Sequence, residues 1–118
     1  MTKTTLTVRL LLWAAIVFAV TMAVLPHPPH MPIDRFGDKF EHMTAFAVIS
    51  ALAACAYPRF PLMRIGERLS FLGALIEVVQ SIPELHRDCD IRDWVADTLA
   101  ITAVLLVAAM FRARRKLR

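Results

Sequence analysis

Cysteine is scarce in this chain: Cys55 and Cys89 are the only two among 118 residues. One falls inside an apolar segment and the other in a polar loop, which excludes the multi-disulfide framework of small secreted domains. No internal repeat, low-complexity linker or second polar domain is present, so residues 1–118 read as a single domain. A signal-peptide cleavage site is also missing. The first apolar run outlasts the usual core of about 7–15 residues and leads into Pro26-His27-Pro28-Pro29-His30 without a small-x-small motif, so it reads as a retained helix. An activated nucleophile is lacking too. Ser81 and Cys89 are available, and neither stands beside a recognised activating motif.

Apolar sequence is what the chain has in excess: 58% of it is hydrophobic, 20% is charged, and the mean hydropathy is positive. That balance points to a membrane. Runs at 8–25 and 94–111 approach the ~20 residues needed to cross a hydrocarbon core of ~30 Å. Shorter runs at 43–57 and 69–82 lengthen through polar residues at one end to 38–57 and 62–82, about 30 Å of helix each. The expected fold is all-α, an integral membrane protein with four transmembrane helices at about 8–25, 38–57, 62–82 and 91–111.

Orientation follows from the distribution of the 14 lysines and arginines. Lys3 and Arg9 at the start, Arg59, Arg64 and Arg68 between the second and third helices, and Arg112, Arg114, Arg115, Lys116 and Arg118 in the tail share one side. Arg35, Lys39, Arg87 and Arg92 remain for the other side, mixed with acids. Because cationic loops stay cytoplasmic, an up-down bundle with both termini in the cytoplasm is expected, in a bacterial-type inner membrane as a multi-pass protein. Orientation accounts for the basic tail, so the high pI does not call for a nucleic-acid partner.

Prolines 26, 28, 29 and 32 favour an extended outer loop, where His27 and His30 would share a face; two histidines in such a loop are more often unremarkable than a metal site. Asp38 is expected to cap the second helix with Glu41 at the reciprocal position, and His42 lies one turn further on. A stripe of small residues, Ala45, Ala53 and Ala56, continues down that helix and suits close contact. On the third helix, Ser70, Gly73, Glu77, Gln80 or Ser81, and Glu84 recur at three- and four-residue steps, a stripe that lipid would reject. Asp90 is placed to cap the fourth helix, Asp93 lies in its first turn and Asp97 one turn deeper, with Ala100, Val104 and Ala108 extending that face. Trp94 suits the membrane interface.

Alternating helix direction brings Asp38, His42, Glu77, Gln80, Arg87, Asp93 and Asp97 to one outer depth. Charges there are expensive, so these groups pair with one another and enclose water. Each has a plain structural role open to it: Asp38 and Asp93 as helix-start charges, Arg87 as a neutralising cation, Gln80 as a link between helices, His42 as a hydrogen-bond partner of Asp97 or Glu77. Glu77, the deepest, is hardest to explain as surface polarity.

In order and spacing, Asp38-Lys39-x-x-His42, Glu77-x-x-Gln80, Arg87, Asp93 and Asp97 resemble the VanZ-like family of short four-helix membrane proteins, across residues 38 to about 105. This chain has Asp97 where the family pattern usually has Asn, and Ala100 where it usually has Gly. The resemblance implies a cell-envelope role and a link to teicoplanin and other glycopeptide resistance, with no settled reaction.

Two function classes follow. In the first, an enzyme works on a lipid-linked or other envelope substrate at the outer interface. His42, Glu77 and Asp93 form its catalytic set: Glu77 or His42 is the general base, and Asp93 or Asp97 orients the histidine or, less readily, helps bind a divalent cation. Asp38, Lys39, Gln80, Arg87 and Asp97 are its substrate-binding residues, with Arg87 on an anionic phosphate or carboxylate. In the second, the same groups form a recognition site without turnover. A small oligomeric transporter is the third choice, since four short helices leave little room for a pathway. Membrane lipids are the expected partners; the sequence assigns no metal site, identifies no cofactor and leaves the oligomeric state open.

Overall fold

The structure, a computed structural model, describes residues 1–26, 37–85 and 89–117. Four α-helices and no strand occur among the described residues: α1 (Lys3–Val24), α2 (Asp38–Ala56), α3 (Leu62–Gln80) and α4 (Ile91–Lys116), with a 3₁₀ turn at Pro83–Leu85. The all-helical class read from the sequence is therefore present.

Helix ends differ from the expected ones for identifiable reasons. The first helix starts at Lys3 rather than near residue 8, because the Thr2 hydroxyl accepts from the Thr5 amide at 3.0 Å and satisfies an orphan donor of the first turn. Asp38 does not cap α2. It is the first helical residue, and the cap is Gly37, whose φ of 92° lies in the left-handed region that glycine occupies without strain. The third helix ends at Gln80, since Pro83 disfavours helical geometry at the residue before it and opens the 3₁₀ turn instead. Asp90 does cap α4, its carboxylate accepting from the Arg92 amide at 2.9 Å. That helix runs five residues beyond 111 through the basic tail, where Arg114, Arg115 and Lys116 oppose the negative end of the helix dipole.

Interhelix contacts establish an up-down course. Arg9 of α1 reaches the end of α2, while Ala23 of α1 meets Gln80 at the end of α3. Ser70 of α3 meets Thr98 of α4, and Gly66 faces Leu105 and Ile101 further along, so these two helices run antiparallel. Gly66 and Gly73, two turns apart, make this approach close: a Cβ at Gly66 would lie 3.2 Å from Leu105 Cδ1, and one at Gly73 3.5 Å from Asp97, Phe46 and Trp94. Phe46, Ile49, Ala53, Ile65, Leu69, Ile76, Ile101 and Leu105 fill the centre with Leu12 of α1. On α4 the buried face runs Asp93, Asp97, Ile101, Leu105, in steps of four, rather than through the half-buried Ala100, Val104 and Ala108.

The outside is apolar. Leu10, Val17 and Phe18 on α1, Val48 on α2, Phe71 and Val78 on α3, and Leu99, Leu106 and Met110 on α4 are exposed. Such an exterior around buried acids is the reverse of a water-soluble bundle. Of the four helices, α1 and α4 are long and apolar enough to cross a membrane, which suggests a membrane location.

Candidate functional site

At one end of the bundle the start of α2, the end of α3 and the start of α4 bury five polar side chains together: His42, Glu77, Gln80, Asp93 and Asp97. The up-down course is what gathers them, since His42 and Asp97 stand near the beginnings of two helices that run in the same direction and Glu77 near the end of the antiparallel one. Their exposure is low, at 8% for His42, 6% for Glu77 and 1% for Gln80 and Asp97. At such depth each unmatched polar atom costs free energy, so the question for each is where its bonds go.

Glu77 is held by one oxygen. The backbone N–H of Asp90 donates to its Oε2 at 3.1 Å, while Oε1 has no hydrogen-bond partner among the described residues. This tie runs from the end of α3 to the loop residue that caps α4, so the carboxylate fixes the approach of the two helices as well as facing the cluster. Asp97 is more isolated. Its Oδ2 lies 3.7 Å from His42 Nδ1, beyond hydrogen-bond length, and neither carboxylate oxygen has a hydrogen-bond partner among the described residues. One nitrogen of His42 and one oxygen each of Glu77 and Asp97 lie within 4.8 Å of one another. An imidazole and two buried carboxylates therefore share one small region of the bundle interior.

Gln80 divides its amide. Nε2 donates to the Ala23 carbonyl at 2.8 Å, satisfying one of the last carbonyls of α1, and Oε1 is buried without a partner among the described residues. The residue therefore serves as a link between helices while keeping an acceptor. Asp93 is buried in the first turn of α4. Lys39 is exposed at the rim, where its charge lowers the pKa of Asp90 after the larger effect of the Arg92 amide and side chain. Arg87 lies outside the described residues, as do His27, His30, Arg35 and His86, and nothing of the Asp38 side chain is described.

Neither candidate nucleophile is primed. The Ser81 hydroxyl donates to the Val78 carbonyl at the end of α3. Cys89 is free, and loss of surrounding water and then the nearby Glu77 carboxylate hold its thiol above the usual range, which withholds the thiolate at neutral pH. Cys55 is free as well, in keeping with the absence of a disulfide framework.

Several supports of the site have no motif. The Trp94 indole N–H donates to the Ser70 carbonyl at 2.9 Å, the hydroxyls of Ser70 and Thr98 pair at 2.9 Å, and Gly73 leaves room for the Asp97 carboxylate. Periodicity places Ser70 and Gly73 on the correct face of α3; their partners on α4 depend on how the helices register. At the opposite end, Arg9 and Arg112 donate to carbonyls of the α2 terminus, a role that charge counting alone does not distinguish from orientation.

Comparison with known protein families, characterised proteins and solved structures returned no match.

Proposed function

We propose that this chain is a multi-pass membrane protein of the VanZ-like kind, with four spans and both termini in the cytoplasm, whose outward-facing polar site acts on or binds a cell-envelope component. The observation that carries the proposal is the joint burial of His42, Glu77, Gln80, Asp93 and Asp97 from three helices, in a bundle whose exterior is apolar. All five are among the residues on which the resemblance rests, and in a membrane such groups mark functional sites. The basic residues Arg9, Arg59, Arg64 and Arg112 belong to the other end of the bundle, which supports an outward-facing cluster under the positive-inside rule. Glu77, with one oxygen anchored and one open, is suited to accept a proton or a ligand hydrogen bond, and Lys39 at the rim to meet an anion.

The unprimed states of Ser81 and Cys89 favour recognition or general-base chemistry over a covalent intermediate on either residue. A growth assay tests the envelope reading. Expression of the intact protein is expected to raise tolerance to teicoplanin, and Glu77→Gln and Arg87→Ala, at matched membrane levels, are expected to remove that gain. An unchanged tolerance on expression of the intact protein, or full retention by both variants, refutes it.

A further inference from the structure

We propose that His42, Glu77 and Asp97 bind one divalent transition-metal cation, of the Mn²⁺ or Zn²⁺ kind, at the buried edge of the polar cluster. The donors are close already. One ligand atom from each residue lies within 4.8 Å of the other two, and His42 Nδ1 is 3.7 Å from Asp97 Oδ2. Around a cation bound at about 2.0–2.2 Å, neighbouring ligand atoms sit roughly 3.0–3.5 Å apart, so the histidine–aspartate pair needs only a few tenths of an ångström. Glu77 supplies the third ligand atom from within the same 4.8 Å span.

A second observation points the same way. Asp97 is 1% exposed and neither of its oxygens has a hydrogen-bond partner among the described residues; Glu77 Oε1 is likewise open. Three of the four oxygens of these two buried carboxylates thus have no hydrogen bond among the described residues to offset their loss of water. A dication neutralises both and takes up those lone pairs. Glu77 is set for this by the Asp90 amide, which orients the carboxylate through Oε2 and leaves Oε1 to ligate, as partners of metal-binding carboxylates do.

The donor set selects the cation. Imidazole nitrogen disfavours Mg²⁺ and Ca²⁺, two carboxylates and no thiolate disfavour soft ions, and the mixed set fits Zn²⁺ or Mn²⁺. Three protein ligands leave at least one coordination position for water or for an oxyanion of a ligand. The inference rests on the cluster itself and not on the envelope reading.

The test uses the full-length protein in detergent, stripped with a chelator and titrated with Mn²⁺ while free Mn²⁺ is followed by electron paramagnetic resonance. One Mn²⁺ per chain is expected, displaced by Zn²⁺. Asp97→Asn and Glu77→Gln should each weaken binding at least tenfold, while Glu84→Gln, an exposed acid at the same end, should leave it unchanged. Melting followed by circular dichroism guards against misfolding. Metal-free Asp97→Asn should melt at or above the wild-type temperature, because it removes one of two neighbouring buried charges, and added Mn²⁺ should raise the melting temperature of the wild type but not of the variant. Failure of the stripped wild type to bind Mn²⁺ or Zn²⁺ at about 1 mM overturns the proposal. So does binding that survives undiminished in both Asp97→Asn and Glu77→Gln. Either outcome leaves the teicoplanin assay free to succeed or fail on its own.

Discussion

Truncating Arg112 to alanine should destabilise the bundle more than any other single loss of charge in the basic tail. Its guanidinium donates three hydrogen bonds, from Nη1 to the Phe60 carbonyl at 2.7 Å and from Nη2 to the carbonyls of Tyr57 at 3.1 Å and Ala54 at 3.2 Å. Ala54 is in the last turn of α2, where carbonyls have no partner within the helix, so Arg112 acts as a cap supplied by α4. Hydrogen bonds to a charged group contribute roughly 1.5–3 kcal/mol each, about 4.5–9 kcal/mol for three. The side chain is half-buried and water can reach the freed carbonyls, so about 2–4 kcal/mol should be lost. Thermal unfolding of the purified protein in detergent, followed by circular dichroism, should show a drop on the order of 10 °C. Arg112→Lys keeps the charge but not the fork, and should recover less than half of it. Arg114→Ala, at an exposed position of the same helix, should change stability by no more than about 0.5 kcal/mol. Equal effects of Arg112→Ala and Arg114→Ala would mean that the carbonyl contacts do not hold α2 to α4.

Gly73→Ala should be tolerated, because its Cβ would meet Asp97, Phe46 and Trp94 at ordinary contact distance, 3.5 Å, whereas Gly73→Leu should push α3 from α4 and lower the melting temperature together with any activity of the site. Trp94→Phe keeps the ring and loses the bond to the Ser70 carbonyl, for a cost of about 1 kcal/mol by the same melting assay; no change would assign Trp94 to packing alone. In intact cells at mildly alkaline pH, which restores some of the thiolate that the raised Cys89 thiol withholds at neutral pH, a membrane-impermeant maleimide should label Cys89, and Cys89→Ser should abolish labelling while Cys55→Ser leaves it; labelling that requires permeabilised cells under the same conditions would put the polar cluster on the cytoplasmic side.

Much of the site was legible in the sequence because it is carried by intervals within single helices. Glu77 and Gln80, three residues apart, and Asp93 and Asp97, four apart, must share faces once their segments are helical, and both pairs are buried. The extension of the Asp97 face was not legible. Steps of three and four are equally compatible with one stripe, and the neighbours that chose Ile101 and Leu105 over Ala100 and Val104 are on other helices. The cap of α2 differs from the sequence expectation for a related reason: Asp38 has the chemistry of a cap, but Gly37 supplies the positive φ at which the chain turns into the helix, leaving Asp38 in the first turn.

Composition and periodicity alone determined that this is a helical chain with an apolar exterior and acids turned inward, because helix formation and amphipathic burial are read from residues near one another. Tertiary structure decided which polar groups meet. The 3.7 Å approach of His42 to Asp97 joins residues 55 positions apart, and the Glu77 bond to the Asp90 amide depends on the turn that returns α4 along α3. Such contacts are set by helix register and by the space that Gly66 and Gly73 leave between α3 and α4, quantities that no local interval in the sequence encodes.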